Sequence, residues 1–376
     1  MSEFAAGPAG RIERVRALMV ERGYDAIVVR DEANLRWLTG VKGVFDYTFE
    51  FPHAAFITAD QCLFHTDSRY LNSFKENTPA GSPWVYDMVE GTIPGWVAGK
   101  IAANKCRVCA VEDDMQINFY QGIQRGLEDR SVACLLPLMH DDIRKMRAIK
   151  DAEEIELMRH AQSITDAAFQ HMLGFIKPGM TEKQVRNELE NFMFANGADS
   201  LAFGSIVASG PNTANPHAVP SDRVIEKGDF VLMDYGAGYC DYRSDMTRTV
   251  VMGEPTQEQL DLYALVRRTH EECVAAIHPG VEGNDIFKLS KKIIGDAGYG
   301  DYYNHGLGHG VGIDIHELPN FNRSKNTIEI GSVVTMEPGV YLPGVGGVRL
   351  EDYGVVTENG YEPFTKTPHD LHVIDC

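Results

Sequence analysis

Apolar positions in the first thirty residues recur at helical spacing. In "IERVRALMVERGYDAIVV" (residues 12–29), Ile12, Val15, Leu18 and Met19 share one face, a glycine interrupts, and a short apolar run then predicts a strand. Helix followed by strand opens an α/β unit. Further on, "AAFITADQCLFHTDSRY" holds two apolar runs around Ala-Asp-Gln, which predict a hairpin, and "VCAVEDD" predicts another strand. The alternation predicts an α/β domain over residues 1–140. From Asp142 the texture changes: "DIRKMRAIKDAEEIELMRHAQSITDAAFQHML" predicts a long helical stretch whose buried face carries Ile155, Met158, Ala161 and Ile164. A boundary near residues 136–145 therefore separates a second domain, residues 141–376.

That second part contains a weak internal repeat. "FIKPGMTEKQVRNELENFMFANGA" and "AIHPGVEGNDIFKLSKKIIGDAGY" each run a helix into Pro-Gly, open a new helix, and close it with a glycine eighteen residues after that of the Pro-Gly. Thr181 and Gln184 have the form of a capping box. Copies about a hundred residues apart are too widely spaced for a solenoid, so a duplicated half-domain with a crevice between its halves is expected.

Acids then arrive in pairs. In "DFVLMDYGAGYCDYRSDMTRTVV", two strands join around Gly236 and Gly238; Asp234 ends one apolar run, and Asp245 shares a face with Thr247 and Thr249 on the returning strand. "SVVTMEPGVYLPGVGGVRLEDYGVVT" repeats the pattern, with Glu337 and Glu351 on two strands. Buried like charges repel unless they share a proton or a cation. Four carboxylates with an imidazole suit two divalent cations, Mn²⁺ or Co²⁺ at least as well as Zn²⁺.

"NHGLGHGVGIDIHELP" (residues 304–319) supplies the imidazole. His309 lies between Gly308 and Gly310, which leave its backbone unhindered. If "VGIDIHE" is a strand, His316 cannot share an ion with His309 and is expected to touch a substrate instead. The glycine spacing does not fit GxGxxG, "HELPN" lacks the second histidine of HExxH, and GxSxG is absent. His53, His65, His140, His160, His171, His270 and His278 read as satisfied polar residues.

Composition narrows the remaining classes. The 35 basic and 54 acidic side chains of the 376 residues give a formal charge of -19, which argues against nucleic acid and anionic membranes as partners. No apolar run approaches the roughly 18 residues of a membrane span. A start without a basic stretch ahead of an apolar one favours the cytoplasm over secretion. Cys106 and Cys109 in "CRVC" read as a buried strand edge rather than a metal or redox pair.

Taken in order, "MDYGAGYCDYRSDMTRT", "HGLGHGVGIDIHE", "TMEPGVY" and "GGVRLEDYGVV" resemble the pita-bread metallopeptidase family (M24), most of all its Xaa-Pro dipeptidases (prolidases) and aminopeptidases P. "GYDAIVVRDEANLRWLTGV" resembles the family's amino-terminal domain. The resemblance implies a two-domain α/β (α+β) fold: a creatinase-like amino-terminal domain ahead of a pita-bread catalytic domain with pseudo-twofold duplicated halves. It implies that Asp234 and Asp245 hold one metal, that His309 and Glu337 hold the other, and that Asp245 and Glu351 bridge them. His217 in "GPNTANPHAVP" and His316 match substrate-facing histidines, and Arg349 matches an arginine linked to an acidic ligand or to the proline carboxylate.

The implied reaction is hydrolysis of an Xaa-Pro bond. Two ions about 3.5 to 4 Å apart would lower the pKa of a bridging water and polarise the peptide carbonyl. Glu337 would carry the proton, and His217 and His316 would steady the oxyanion or the substrate. Two divalent ions per subunit follow, Mn²⁺ first, with Co²⁺ or Zn²⁺ as alternatives. The substrate is a small peptide with proline second, and a homodimer is expected. The compact amino-terminal domain favours a dipeptidase over aminopeptidase P. A creatinase-like amidinohydrolase or a lyase on the same fold is the more distant alternative, and a non-catalytic module would have lost its ligands. The aromatic stretch "FDYTFEFPHAAF" reads as core, with a dimer contact as the alternative.

Overall fold

A computed structural model describes residues 7–45, 51–88 and 91–375, which form two compact units, Met1–Arg147 and Ala148–Cys376. In the first, the helix Gly7–Arg22 buries Ile12, Val15, Leu18 and Met19 as its spacing predicts. A five-stranded mixed sheet runs in the order Val85–Asp87, Cys62–His65, Ala54–Thr58, Ala26–Val29, Cys109–Val111. The runs around Ala-Asp-Gln do pair as an antiparallel hairpin, Ala54 opposite His65. Cys109 lies on the outermost strand, and burial pushes its thiol well above the usual range and that of Cys106 to about 11. Neither cysteine belongs to a possible metal cluster among the described residues. Of "FDYTFEFPHAAF", Phe45 and His53 are core; residues 46–50 lie outside the described residues.

The stretch expected as one long helix from Asp142 is broken. Asp142–Arg147 ends first; Lys150 N then donates to Gly331 O at 2.9 Å, and Asp151 and Glu154 form a capping box that starts the helix Ala152–Phe175 afresh. Met158, Ala161 and Ile164 are buried, but Ile155 is only half-buried, because Glu154 takes the inward position and accepts from Tyr242 OH at 2.8 Å.

The repeat is present in the backbone. Gly179 (φ 92°) and Gly280 (φ 85°) both follow proline, and their N–H groups donate to Ile225 O at 2.9 Å and to Ile328 O at 2.7 Å. The helices Glu182–Ala195 and Gly283–Asp296 follow; Thr181 and Gln184 form the expected capping box, whereas Glu282 makes no side-chain cap. Each half then has three antiparallel strands in corresponding order. One set is Ile206–Ser209, Phe230–Tyr235 and Met246–Met252; the other is Gly308–Gly310, Val333–Met336 and Asp352–Thr357. Two helices cover each set: Phe169, Met172 and Leu189 pack on Val231 and Val250, while Cys273, Ile286 and Phe287 pack on Val334 and Val356. Burying that many aliphatic and aromatic side chains fixes the register of the inner strands.

Candidate metal centre

The two halves place their acids at equivalent points. Asp234 is the last but one residue of its strand and Glu337 follows the end of its own; Asp245 and Glu351 each stand immediately before the returning strand. Thr247 pairs opposite Asp234, so alternation brings Asp245 to the same face as Asp234. Two expectations need correcting. Glu337 and Glu351 are at strand ends rather than within strands, because Gly339–Leu342 and Gly346–Arg349 form a separate two-stranded ribbon between them. The turn around Gly236 and Gly238 is likewise more elaborate, with a short ribbon, Ala237–Tyr239 on Tyr242–Arg243.

"VGIDIHE" is not a strand. Pairing shifts between His309 and Gly310, the chain bends back, and the next strand starts at Glu317. His316 therefore returns to His309, their ring centroids 4.3 Å apart. The flanking glycines also answer to a constraint that was not anticipated: a Cβ on Gly308 would lie 2.3 Å from Thr335 O, and one on Gly310 would lie 2.2 Å from Leu318 O. Only glycine lets both neighbouring strands approach so closely.

All eight residues singled out in the sequence line one cavity of about 420 Å³: His217, Asp234, Asp245, His309, His316, Glu337, Arg349 and Glu351. His309 Nε2 stands 3.7 Å from Asp245 Oδ2 and 3.6 Å from Glu337 Oε1. One ligand atom each from Asp245, His309 and Glu351 lie within 4.8 Å of one another. Arg349 Nη2 donates to Asp234 Oδ2 at 2.5 Å, while Asp234 Oδ1 is buried without a hydrogen-bond partner among the described residues.

Burial, reinforced by the neighbouring carboxylates, pushes Asp245 and Glu351 well above the usual carboxylate range. Glu337 is pushed up to about 8 by burial, against the opposing pull of Arg349. His309 falls to about 4 through burial and then through His316, which keeps it a neutral donor of its lone pair. Repelling carboxylates, an orphaned buried oxygen and a neutral imidazole fit divalent cations.

Four residues around this cavity carried no assignment in the sequence. Thr247 Oγ1 donates to Glu351 Oε2 at 2.6 Å. His305 lines the cavity; Tyr341 OH lies 2.9 Å from His305 Nε2 and accepts from Arg349 Nη1 at 2.9 Å. Asn320, opposite His309 in the register, lines the wall. His305 shares the glycine-rich motif with His309, a signal that was available. Of the histidines read as satisfied, His65, His171 and His278 do have hydrogen-bond partners, whereas His53 and His270 are buried and have none among the described residues.

Residues 156–358 match the metallopeptidase family M24 model, and residues 11–149 match the creatinase/prolidase N-terminal domain. An uncharacterized peptidase of Bacillus subtilis, YqhT, is 37% identical over 97% of this chain and 100% of its own. Among solved structures, an Xaa-Pro dipeptidase from Bacillus anthracis superposes with a TM-score of 0.89 at 36% identity, over 98% of this chain and 100% of that one. An X-Pro aminopeptidase from Thermotoga maritima superposes at 0.85 with 31% identity, over 97% and 100%. No helix among the described residues is long and apolar enough to cross a membrane.

Proposed function

Because the chain belongs to metallopeptidase family M24, with a creatinase/prolidase N-terminal domain ahead of the catalytic one, we propose that it is an Xaa-Pro dipeptidase working with two divalent cations. The observation that carries this reading is the convergence of Asp234, Asp245, His309, Glu337 and Glu351 on one cavity. Asp234 and Asp245 would hold one ion and His309 and Glu337 the other, with Asp245 and Glu351 reaching both. The carboxylate-rich donor set favours Mn²⁺, with Co²⁺ or Zn²⁺ as substitutes.

Two such cations, when bound, supply a water of near-neutral pKa and an electrophile for the scissile carbonyl. Glu337 is the least buried of the four acids, its side chain 19% exposed, and it can take a proton and pass it to the leaving imino nitrogen. Burial, then His217, lowers the proton affinity of His316, so at neutral pH its ring offers a single N–H to the developing oxyanion. His217 is exposed at the cavity wall and can donate from the other side. Arg349 is 2% exposed and committed to Asp234, Thr247, Tyr341 and Pro216 O, so we read it as a positioning residue. It fixes one acid and the segment that carries His217.

The test compares proline release from Met-Pro and Ala-Pro with amino-terminal release from the matching Xaa-Pro tripeptides, using protein stripped of metal and reloaded with Mn²⁺, Co²⁺ or Zn²⁺. Turnover confined to the dipeptides is expected. Likeness to an X-Pro aminopeptidase over 97% of the chain makes tripeptide cleavage the second reading. Metal-loaded protein that is silent on both substrates overturns the peptidase assignment.

A further inference from the structure

Away from the cavity, a second group of side chains has the composition of a metal site. We propose that His270, Asp352 and His369 bind one transition-class divalent ion, Zn²⁺ by preference. One potential ligand atom from each lies within 4.8 Å of the others, and none of the three lines the cavity. His369 Nε2 is 2.6 Å from Asp352 Oδ2, and His270 Nε2 is 3.6 Å from the same oxygen.

His270 supplies the independent observation. It is 1% exposed, yet neither ring nitrogen has a hydrogen-bond partner among the described residues. A buried imidazole with both nitrogens unmet is costly, and an ion beside it removes that cost. Asp352 is also divided in the manner of a ligand: Arg248 Nη2 holds Oδ1 at 2.7 Å and leaves Oδ2 to the two imidazoles. Arg349 divides Asp234 in the same way at the other centre. An outer hydrogen bond of this kind orients a coordinating carboxylate.

Two imidazole nitrogens and one carboxylate oxygen suit a borderline ion such as Zn²⁺, with a fourth position left for water. His369 provides the entry path, its side chain 26% exposed. The ion would join three segments: the helix Gln257–Ala275 through His270, the strand Asp352–Thr357 through its first residue, and the carboxyl-terminal stretch through His369. Asp352 follows Glu351, whose carbonyl accepts from Arg248 Nη1 at 2.6 Å. The site would therefore brace the strand end from which Glu351 enters the cavity.

The experiment uses the full chain with its cavity disarmed by Asp245→Asn and His309→Ala, titrated with Zn²⁺ at micromolar concentration and counted by mass spectrometry. One bound ion per chain is expected, and adding His369→Ala should remove it. In the otherwise unaltered protein, His369→Ala should lower the zinc count by one, and Co²⁺ loading should lose one tetrahedral absorption component. A disarmed chain that binds no zinc overturns the proposal, as does a zinc count unchanged by His369→Ala. Neither result bears on the peptidase reading, which rests on the cavity.

Discussion

Thr247 joins the two halves of the candidate metal centre through one hydroxyl. Its Oγ1 donates to Glu351 Oε2 at 2.6 Å and accepts from Arg349 Nε at 3.1 Å. Glu351 is thereby held at the angle it needs to reach the cavity, and Arg349 is held against Asp234. Thr247→Val keeps the volume and removes both bonds, leaving a buried guanidinium N–H unmet. Metal affinity should fall by roughly tenfold to a hundredfold, read by titration of the stripped protein, while Thr247→Ser should retain it. An unchanged affinity in the valine variant would show that Glu351 is oriented by something else. Thr247 was legible in the sequence only as sharing a face with Asp245; its partner lies 104 positions further along, across a pairing no local pattern encodes. The acids themselves were legible, since each ends or precedes an apolar run, and strand alternation brings Asp245 to the face of Asp234. Tyr341 was not, because its contact with His305 comes from the ribbon Gly339–Leu342 folding back beside the glycine-rich segment.

Among the elements, the segment that carries His217 is held by a residue the sequence did not flag. Glu182 opens the helix Glu182–Ala195 and is fully buried. Its Oε1 accepts from Ser209 N (2.7 Å), Ser209 Oγ (2.9 Å) and Asn212 Nδ2 (3.0 Å), and its Oε2 from Ser221 N (2.9 Å) and Ser221 Oγ (2.7 Å). Burial raises its proton affinity, but these bonds outweigh burial and hold the carboxyl below its ordinary value. Both ends of residues 209–221 are thus tied to one side chain. Glu182→Gln turns an NH₂ toward donors at one end and should cost about 1–3 kcal/mol of stability, read from a urea midpoint. The loosened segment should also lower kcat/KM on Ala-Pro roughly tenfold. A loss of stability with unaltered kinetics would mean that His217 is positioned independently. Pro-Gly punctuation and the Thr181 capping box revealed this helix, because both are local signals. Two other elements were misjudged for non-local reasons: the helix expected from Asp142 breaks where Lys150 pairs with Gly331, and the residues before His316 turn because pairing shifts at His309.

Over the whole molecule, stability depends on pH through groups that do not line the cavity. The formal charge of -19 means that mild acidification first relieves repulsion among surface carboxylates, which favours the folded chain. His53 acts in the opposite sense. It is fully buried among the rings of Phe45, Phe51, Phe64, Tyr70 and Phe74, with centroids 4.9 to 5.8 Å away. Burial depresses its proton affinity from 6.5 to about 3. Between those values the unfolded chain binds a proton that the folded chain refuses. The stability this histidine leaves intact above pH 6.5 is therefore lost progressively as the pH falls toward 3. From pH 7 to pH 5 the loss amounts to at most about 2 kcal/mol. Because the surface and buried contributions oppose each other, the unaltered protein's pH profile does not separate them. The difference between it and His53→Leu does, since the surface is common to both. Thermal midpoints at pH 7 and pH 5 should fall further in the unaltered protein than in the variant. Equal falls would mean that the ring is protonated inside its aromatic enclosure, with the cation stabilised by the surrounding π faces rather than excluded by them.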